Sequence, residues 1–476
     1  MDNAMVLLPE SLLVLLTVAL FVMGRFAPRF AAPLATFGLV AILGALIGQA
    51  MTGAWGGPAF QQAVQIGPFA WLLRGSILLV AAASSALAWG EKPARAGLFF
   101  GLLTASTLGA LGLVGSADLV MLFLSVNLMG IPLVGLLALS GGRASAEAPM
   151  KRFFSLGVTA AILLFSMSWL FGLGGSTSYA ALGTALQTPD TLLTFGLLLL
   201  LGGLAFTLAA YPFHSWLPDI AEAGSPALAS WLLGGAMLAA LAGFVRAVLM
   251  IFPTQAGLWA PYVLGLAVLS LLGGSLLALA QSQLSRMVAY TAIATQGFAL
   301  LALLAASHPA SSHEGIGALL FTVLTAAIAA VGLFAGIHAA QANTLADLAG
   351  LHRRAPQLAM GLTACALGLA ALPLAGAFWA RVLLVRALLA YVSQSLQFAL
   401  VGVAILAGLV GVISAYTALR IPRAIYLEAS VAVDRPEIVI PTGHGVVLLL
   451  CALFSVGFFV APASLWSLVT YATRGF

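Results

Sequence analysis

Of 476 residues, 62% are hydrophobic and only 7% carry a formal charge, with a mean hydropathy of +1.14. A water-facing surface cannot be built from that balance, so a soluble globular domain is excluded and long transmembrane helices are expected. The net charge of +5 is scattered through short loops, not gathered in a basic stripe interleaved with aromatics; this argues against nucleic acid and for the lipid bilayer as the surrounding medium.

Taken in order, the chain opens on MDNAMVLLPES, acidic where a cleavable signal peptide would be basic. About fourteen apolar runs follow, each of roughly 17–25 residues, the length that crosses a hydrocarbon core. They centre near Leu15, Val40, Val80, Leu103, Phe123, Phe165, Leu198, Leu238, Val268, Ala299, Ala327, Ala366, Ile405 and Leu453. The 51 glycines are mixed with Ala, Ser and Thr, the small residues that let helices pack by contact where no water drives them together. Cys365 and Cys451 both fall in apolar runs, with neither a disulfide framework nor metal-ligand spacing, and read as packing residues.

Basic residues follow alternate runs: Arg25 and Arg29; Lys92 and Arg95; Arg143, Lys151 and Arg152; Arg286; Arg353 and Arg354; Arg420, Arg423 and Arg435. Thirteen of the 18 basic residues therefore share one side. By the positive-inside rule that side is cytoplasmic, which puts both termini outside a bacterial-type inner membrane.

Two runs are interrupted. In TLAAYPFHSWLPDIAEAGSP, Thr207 to Pro226, three prolines (Pro212, Pro218, Pro226) forbid one continuous helix, and His214, Asp219 and Glu222 sit in the gap. The stretch reads either as an ordinary loop between spans or as a broken helix, the hinge or site of a transporter. Five spans later, Pro373 and Gly376 interrupt LGLAALPLAGAFWARVLLV. An odd offset reverses the direction of each span, so the matched breaks read either as coincidence, since Pro and Gly are common in membrane helices, or as two inverted repeats of five helices each. The expected fold is thus an all-α polytopic membrane protein. Residues 1–95 hold the first three helices, 96–255 the first repeat, 256–425 the second, and 426–476 a loop and the last helix.

At these motifs the chain resembles the antiporter-like membrane subunits of respiratory complex I and their relatives in multi-subunit cation/proton antiporters and membrane-bound hydrogenases. The resemblance rests on PFHSWLPDIAEAGSP at Pro212–Pro226, ALAQSQLSRMVAYTAIATQGF at Ala278–Phe298 and LAALPLAGAFWARVLL around Pro373. Weaker matches are DLVMLFLSVNLMGIPL from Asp118, EAPMKRFF from Glu147 and LLPE at Leu7–Glu10; the last, with the short tail, is most similar to the subunit called N. It implies fourteen helices with two broken ones, other membrane-arm subunits as partners, and NADH–quinone chemistry carried by other chains, with no cofactor on this one.

The resemblance also implies a row of membrane-embedded Glu and Lys side chains that relay protons. Here the equivalent positions are Asn127, Thr207, Met237, Ser285 and Arg381. A buried Lys can shed its proton because desolvation lowers its pKa, and a nearby Glu tunes that shift. Asn, Thr, Met and Ser cannot, and Arg stays charged. Two roles stay open: a transporter subunit with an unusual path, or an architectural paralogue. A free-standing antiporter would need the missing carboxylates. Remaining polar candidates are His214 as a proton-path or gating residue or a helix-break hydrogen-bonder, Asp219 and Glu222 as salt-bridge or capping groups, Arg246 as their partner or a snorkelling side chain, Arg286, and His338 as an interfacial histidine or one facing a cavity. Asp118 is expected to cap a helix, Glu147 and Lys151 to pair across one turn, and His308, His313 and Glu314 to be solvated.

Overall fold

The computed structural model describes residues 6–52, 56–91, 95–139, 147–308, 311–395, 399–428 and 438–475; Lys92, Arg143 and Arg435 lie outside them. The chain folds as a bundle of long helices. The first seven are α1 (Leu8–Phe26), α2 (Ala31–Thr52), α3 (Pro68–Glu91), α4 (Ala96–Gly115), α5 (Leu119–Leu139), α6 (Glu147–Gly174) and a short α7 (Tyr179–Ala185). A two-stranded hairpin, β1 (Gly57–Ala59) with β2 (Val64–Ile66), joins α2 to α3. Then come α8 (Thr191–Thr207), α9 (Trp216–Ala223), α10 (Pro226–Ile251), α11 (Ala256–Ala280), α12 (Leu284–Ala305) and α13 (Ser312–Ala339). The last five are α14 (Pro356–Ala370), α15 (Ala377–Ser395), α16 (Ala399–Leu427), α17 (Thr442–Val460) and α18 (Pro462–Ala472).

All fourteen expected centres fall in helices. Among the described residues, twelve helices are long and apolar enough to span, and the two shorter apolar ones are α8 and α14, the first halves of the two interrupted runs. At 17 residues α8 reaches about 25 Å, short of a core of about 30 Å, so α9 must finish the crossing. The hairpin, α7 and α18 carry no clear signal in the sequence. Pro462 at the start of α18 ends one helix and opens the next, because its missing N–H is an orphan donor there anyway.

Local chemistry sets the helix starts. Asp118 accepts the Val120 amide at 2.7 Å and the Thr177 hydroxyl at 2.6 Å, capping α5 as expected. Asp190 accepts the Leu193 amide at the start of α8, and Ser225 the Leu228 amide at the start of α10. The spanning stretches of α10, α12 and α13 are 94%, 100% and 89% buried, whereas those of α1, α2, α6, α16 and α17 are each 28% buried. The first three form the inner layer, and the others are left to face lipid or neighbouring chains.

The two breaks are built alike. In each, the last turn closes with an N–H reaching back five residues: Ala210 to the Ala205 carbonyl at 3.0 Å, and Leu372 to the Leu367 carbonyl at 3.1 Å. In each an alanine takes the left-handed conformation, Ala209 at φ 52° and Ala371 at φ 54°. Glycine is the usual residue there because a Cβ is strained. Replacing Ala371 by Gly is therefore expected to raise thermal stability by about 0.5–1 kcal/mol, read as an upward shift in melting temperature in detergent.

As expected, no one helix runs through Pro212, Pro218 and Pro226, although the break itself excludes Pro218. Pro218 lies in the first turn of α9, where its lost donor costs nothing, so the break spans only residues 208–215. Across this gap Trp216 donates its indole N–H to the Phe206 carbonyl at 3.2 Å, and the Tyr211 amide donates to the Ser270 hydroxyl at 2.9 Å. These bonds satisfy backbone groups that a kink would otherwise strand in an apolar medium.

Candidate functional site

Alternate crossings place the loops with most of the basic residues at one end of the bundle, the basic end. Here α9 is held by a chain of charges. Asp219 pairs with Lys151 at 2.8 Å and with Arg286 at 2.9 Å, Arg286 also pairs with Glu222 at 2.9 Å, and Lys151 with Glu147 at 2.9 Å. The network joins α6, α9 and α12. Asp219 and Glu222, three residues apart on α9, bridge and do not cap: the residue preceding α9, Ser215, makes no side-chain cap. Nearby, the Arg152 guanidinium sits 4.0 Å from the Trp216 ring centroid. Asp219→Asn is expected to cost about 1 kcal/mol, because both cations lose a carboxylate while each keeps another. The loss should shrink in high salt, which paired melting curves at low and high ionic strength would check.

Arg246 is not part of this network. It sits near the far end of α10, about 30 Å of helix from α9, which rules out the expected pairing with Asp219 or Glu222. It does not snorkel either. Its side chain is buried, and its Nε–H donates to the Ser116 carbonyl at 2.9 Å. His214 stacks on Tyr211 with ring centroids 4.5 Å apart inside the first break. Glu314 is not simply solvated, since it pairs with Arg386 at 2.7 Å; His308 lies edge-on to Tyr391.

A cleft of ≈ 300 Å³ opens beside the network and is lined by Glu222, Ser285 and His338 among others. The structure thus gathers three of the sequence candidates in one place. The His338 ring lies 4.8 Å from that of His444, tilted by 30°; His444 is fully buried with neither ring nitrogen hydrogen-bonded among the described residues. His444 carried no signal in the sequence, since it lies over a hundred residues from His338.

The other expected positions lie deeper and apart. Asn127, on α5, turns its amide back to the Phe123 carbonyl at 2.9 Å. Thr207 is buried at the end of α8, its hydroxyl spent on the Gly203 carbonyl at 3.1 Å. Both side chains are thus absorbed by their own helices. Met237 is 2% exposed and borders, with Thr295 and Gln296, a cavity of ≈ 20 Å³, room for little more than one water. Just before it, Trp231–Ala236 form a π turn, in which Gly234 and Gly235 leave no space for a Cβ. Arg381, on α15, lies with its guanidinium carbon 3.1 Å from the Phe298 ring centroid. Its Nη1 has no partner, and no carboxylate pairs with it among the described residues. Among the described residues no group of three or more His, Cys, Asp or Glu side chains is arranged to hold a metal ion. Cys365 and Cys451 are buried free thiols that press on Gly332.

A multi-pass bundle with a broken helix over a charged hinge is the architecture of a membrane transporter or transporter-like subunit. Residues 116–408 match the family described as NADH:quinone oxidoreductase/Mrp antiporter, TM, and the chain belongs to that family. It is 35% identical over 380 residues to NADH-quinone oxidoreductase subunit N 2 of Acidobacterium capsulatum, covering 77% of this chain and 75% of the relative. It is 30% identical over 485 residues to NADH-quinone oxidoreductase subunit N of Granulibacter bethesdensis, covering 98% of each. In fold it is similar to a chain of respiratory complex I from Thermus thermophilus (TM-score 0.81, 24% identity, 96% of this chain and 98% of that one). It is also similar to a chain of the Mrp complex from Dietzia (TM-score 0.85, 20% identity, 99% and 97%).

Proposed function

We propose that this chain is a membrane-arm subunit of a complex I-like quinone oxidoreductase, of the subunit N branch, and that it serves there as an architectural member without a proton relay of its own. The observation that carries the second half is the state of the family's relay positions. Asn127 and Thr207 are bonded into their own helices, Met237 is packed, and Arg381 holds a charge it cannot release. The redox chemistry belongs to other chains, and the partners are neighbouring membrane subunits.

The inverted-repeat reading finds support in recurring geometry. Asp118 bridges Ser178 across α5 and α6, and Gln283 bridges Thr344 across α12 and α13, five spans on. The two breaks share one cap. The division at residues 95, 255 and 425 follows from that reading; the placement of both termini on the outer face, with the basic end in the cytoplasm, rests on the positive-inside rule.

The test is proton stoichiometry in the intact complex. Replacing Asn127 by Leu and Thr207 by Val together should leave protons moved per electron pair unchanged. A lowered ratio would overturn the architectural role, and purification of the chain without redox subunits would overturn the assignment to such a complex.

A further inference from the structure

The α1–α2 hairpin carries a feature that neither the repeats nor the relay positions use. Between the end of α1 and the start of α2 lies an apolar groove of ≈ 370 Å³, lined by Met23, Phe30, Pro33, Leu34, Phe37 and Gly38. The hairpin is tight at its inner edge, where a Cβ on Gly38 would stand 2.7 Å from Leu16, and the groove opens along the outer face of the turn. Arg25, in the last turn of α1, and Arg29, in the 3-10 turn Pro28–Phe30, flank it. Both arginines are exposed, and neither is ion-paired among the described residues. Arg29 lies 4.8 Å from the Phe30 ring centroid, against the groove wall.

The depth of the groove is marked independently. Trp89, at the end of α3, donates its indole N–H to the Thr36 hydroxyl at 3.1 Å and packs edge-on to Phe37 at 6.1 Å. An amphipathic ring wet at one edge and apolar at the other belongs at headgroup level. Phe26, 80% exposed beside Arg25, needs an apolar cover at that same level.

We propose that this groove binds an anionic phospholipid, with its phosphate between Arg25 and Arg29 and an acyl chain along Pro33–Gly38. Unpaired guanidinium groups on the basic side attract anionic headgroups, and their planar donor forks match phosphate oxygens. The apolar walls would gain nothing from free inorganic phosphate. An apolar transmembrane helix from a neighbour would cover the walls but leave both guanidinium groups without an anionic partner. The bound lipid covers a hairpin whose two helices are each only 28% buried by protein, and so ties this outer layer to the bundle.

The experiment uses the full chain in nanodiscs of phosphatidylcholine alone or with phosphatidylglycerol, released into detergent for native mass spectrometry and melting. Retained phosphatidylglycerol with a raised melting temperature is expected for the wild type. Arg25→Gln with Arg29→Gln should weaken retention on the order of tenfold. Leu34→Trp, which fills the groove while keeping both charges, should also displace the lipid. Equal retention of the two lipids, retention unaffected by the double arginine variant, competition by inorganic phosphate, or a protein segment seated in the groove in the assembled complex would each overturn the proposal.

Discussion

Met237→Lys, at the position where the resemblance places a lysine on α10, is expected to abolish stable folding of this chain. The side chain at this position is 2% exposed, and the adjoining cavity of ≈ 20 Å³ cannot hydrate an ammonium. No carboxylate lines that cavity; its polar members are Thr295 and Gln296. An uncompensated buried charge costs about 3–5 kcal/mol, a large share of the stability of any domain. The measurement is the monodisperse fraction of the variant after solubilisation, beside Met237→Leu, which should match the wild type because it nearly conserves volume. A lysine variant that folds at full yield and raises the proton ratio of the complex would mean that the relay cavity persists and the architectural reading is wrong.

Gly274→Ala should be almost as damaging. A Cβ there would lie 2.5 Å from the Ala294 amide nitrogen and 2.9 Å from the Tyr290 carbonyl oxygen, so α11 and α12 would have to separate. The same device recurs five spans earlier: a Cβ on Gly109 of α4 would stand 2.6 Å from the Leu128 carbonyl carbon on α5, and closer still to the Met129 amide. The obstacle in both is backbone, which cannot swing aside as a side chain can. Overpacking of this kind costs about 1–3 kcal/mol, and more where helices bind mainly by close contact. Both single variants should melt earlier than Gly265→Ala on α11, which meets nothing within 4 Å and should be nearly neutral. Equal melting of all three would show that these helix pairs are not held by backbone contact.

Much of the fold was legible in the sequence. The apolar runs mark every span, since a hydrocarbon core demands length and apolarity and nothing subtler. Pro212 and Pro373 mark the breaks because proline removes a donor wherever it falls. Pro218 lies outside the break because the same chemistry is harmless in a first helical turn, and which turn it occupies depends on where the helix starts. The pairing of Arg246 was misjudged for a related reason: opposite charges suggest partners, but only helix rise and direction reveal that some 30 Å of α10 separates it from Asp219 and Glu222. His444 and the Lys151–Asp219–Arg286 network were not legible, because their members come from distant spans.

By itself, then, the sequence determined that this protein lives in a membrane, where its apolar runs lie and where two helices break. Those are properties of single residues and short runs, which the bilayer reads locally. Only the tertiary structure decided which side chains meet. It joined Asp219 to Lys151 and Arg286, set His338 against His444, and closed the space beside Met237. Contacts between spans follow from how small residues let helix backbones approach, and that is a property of pairs of surfaces that no single stretch of chain encodes.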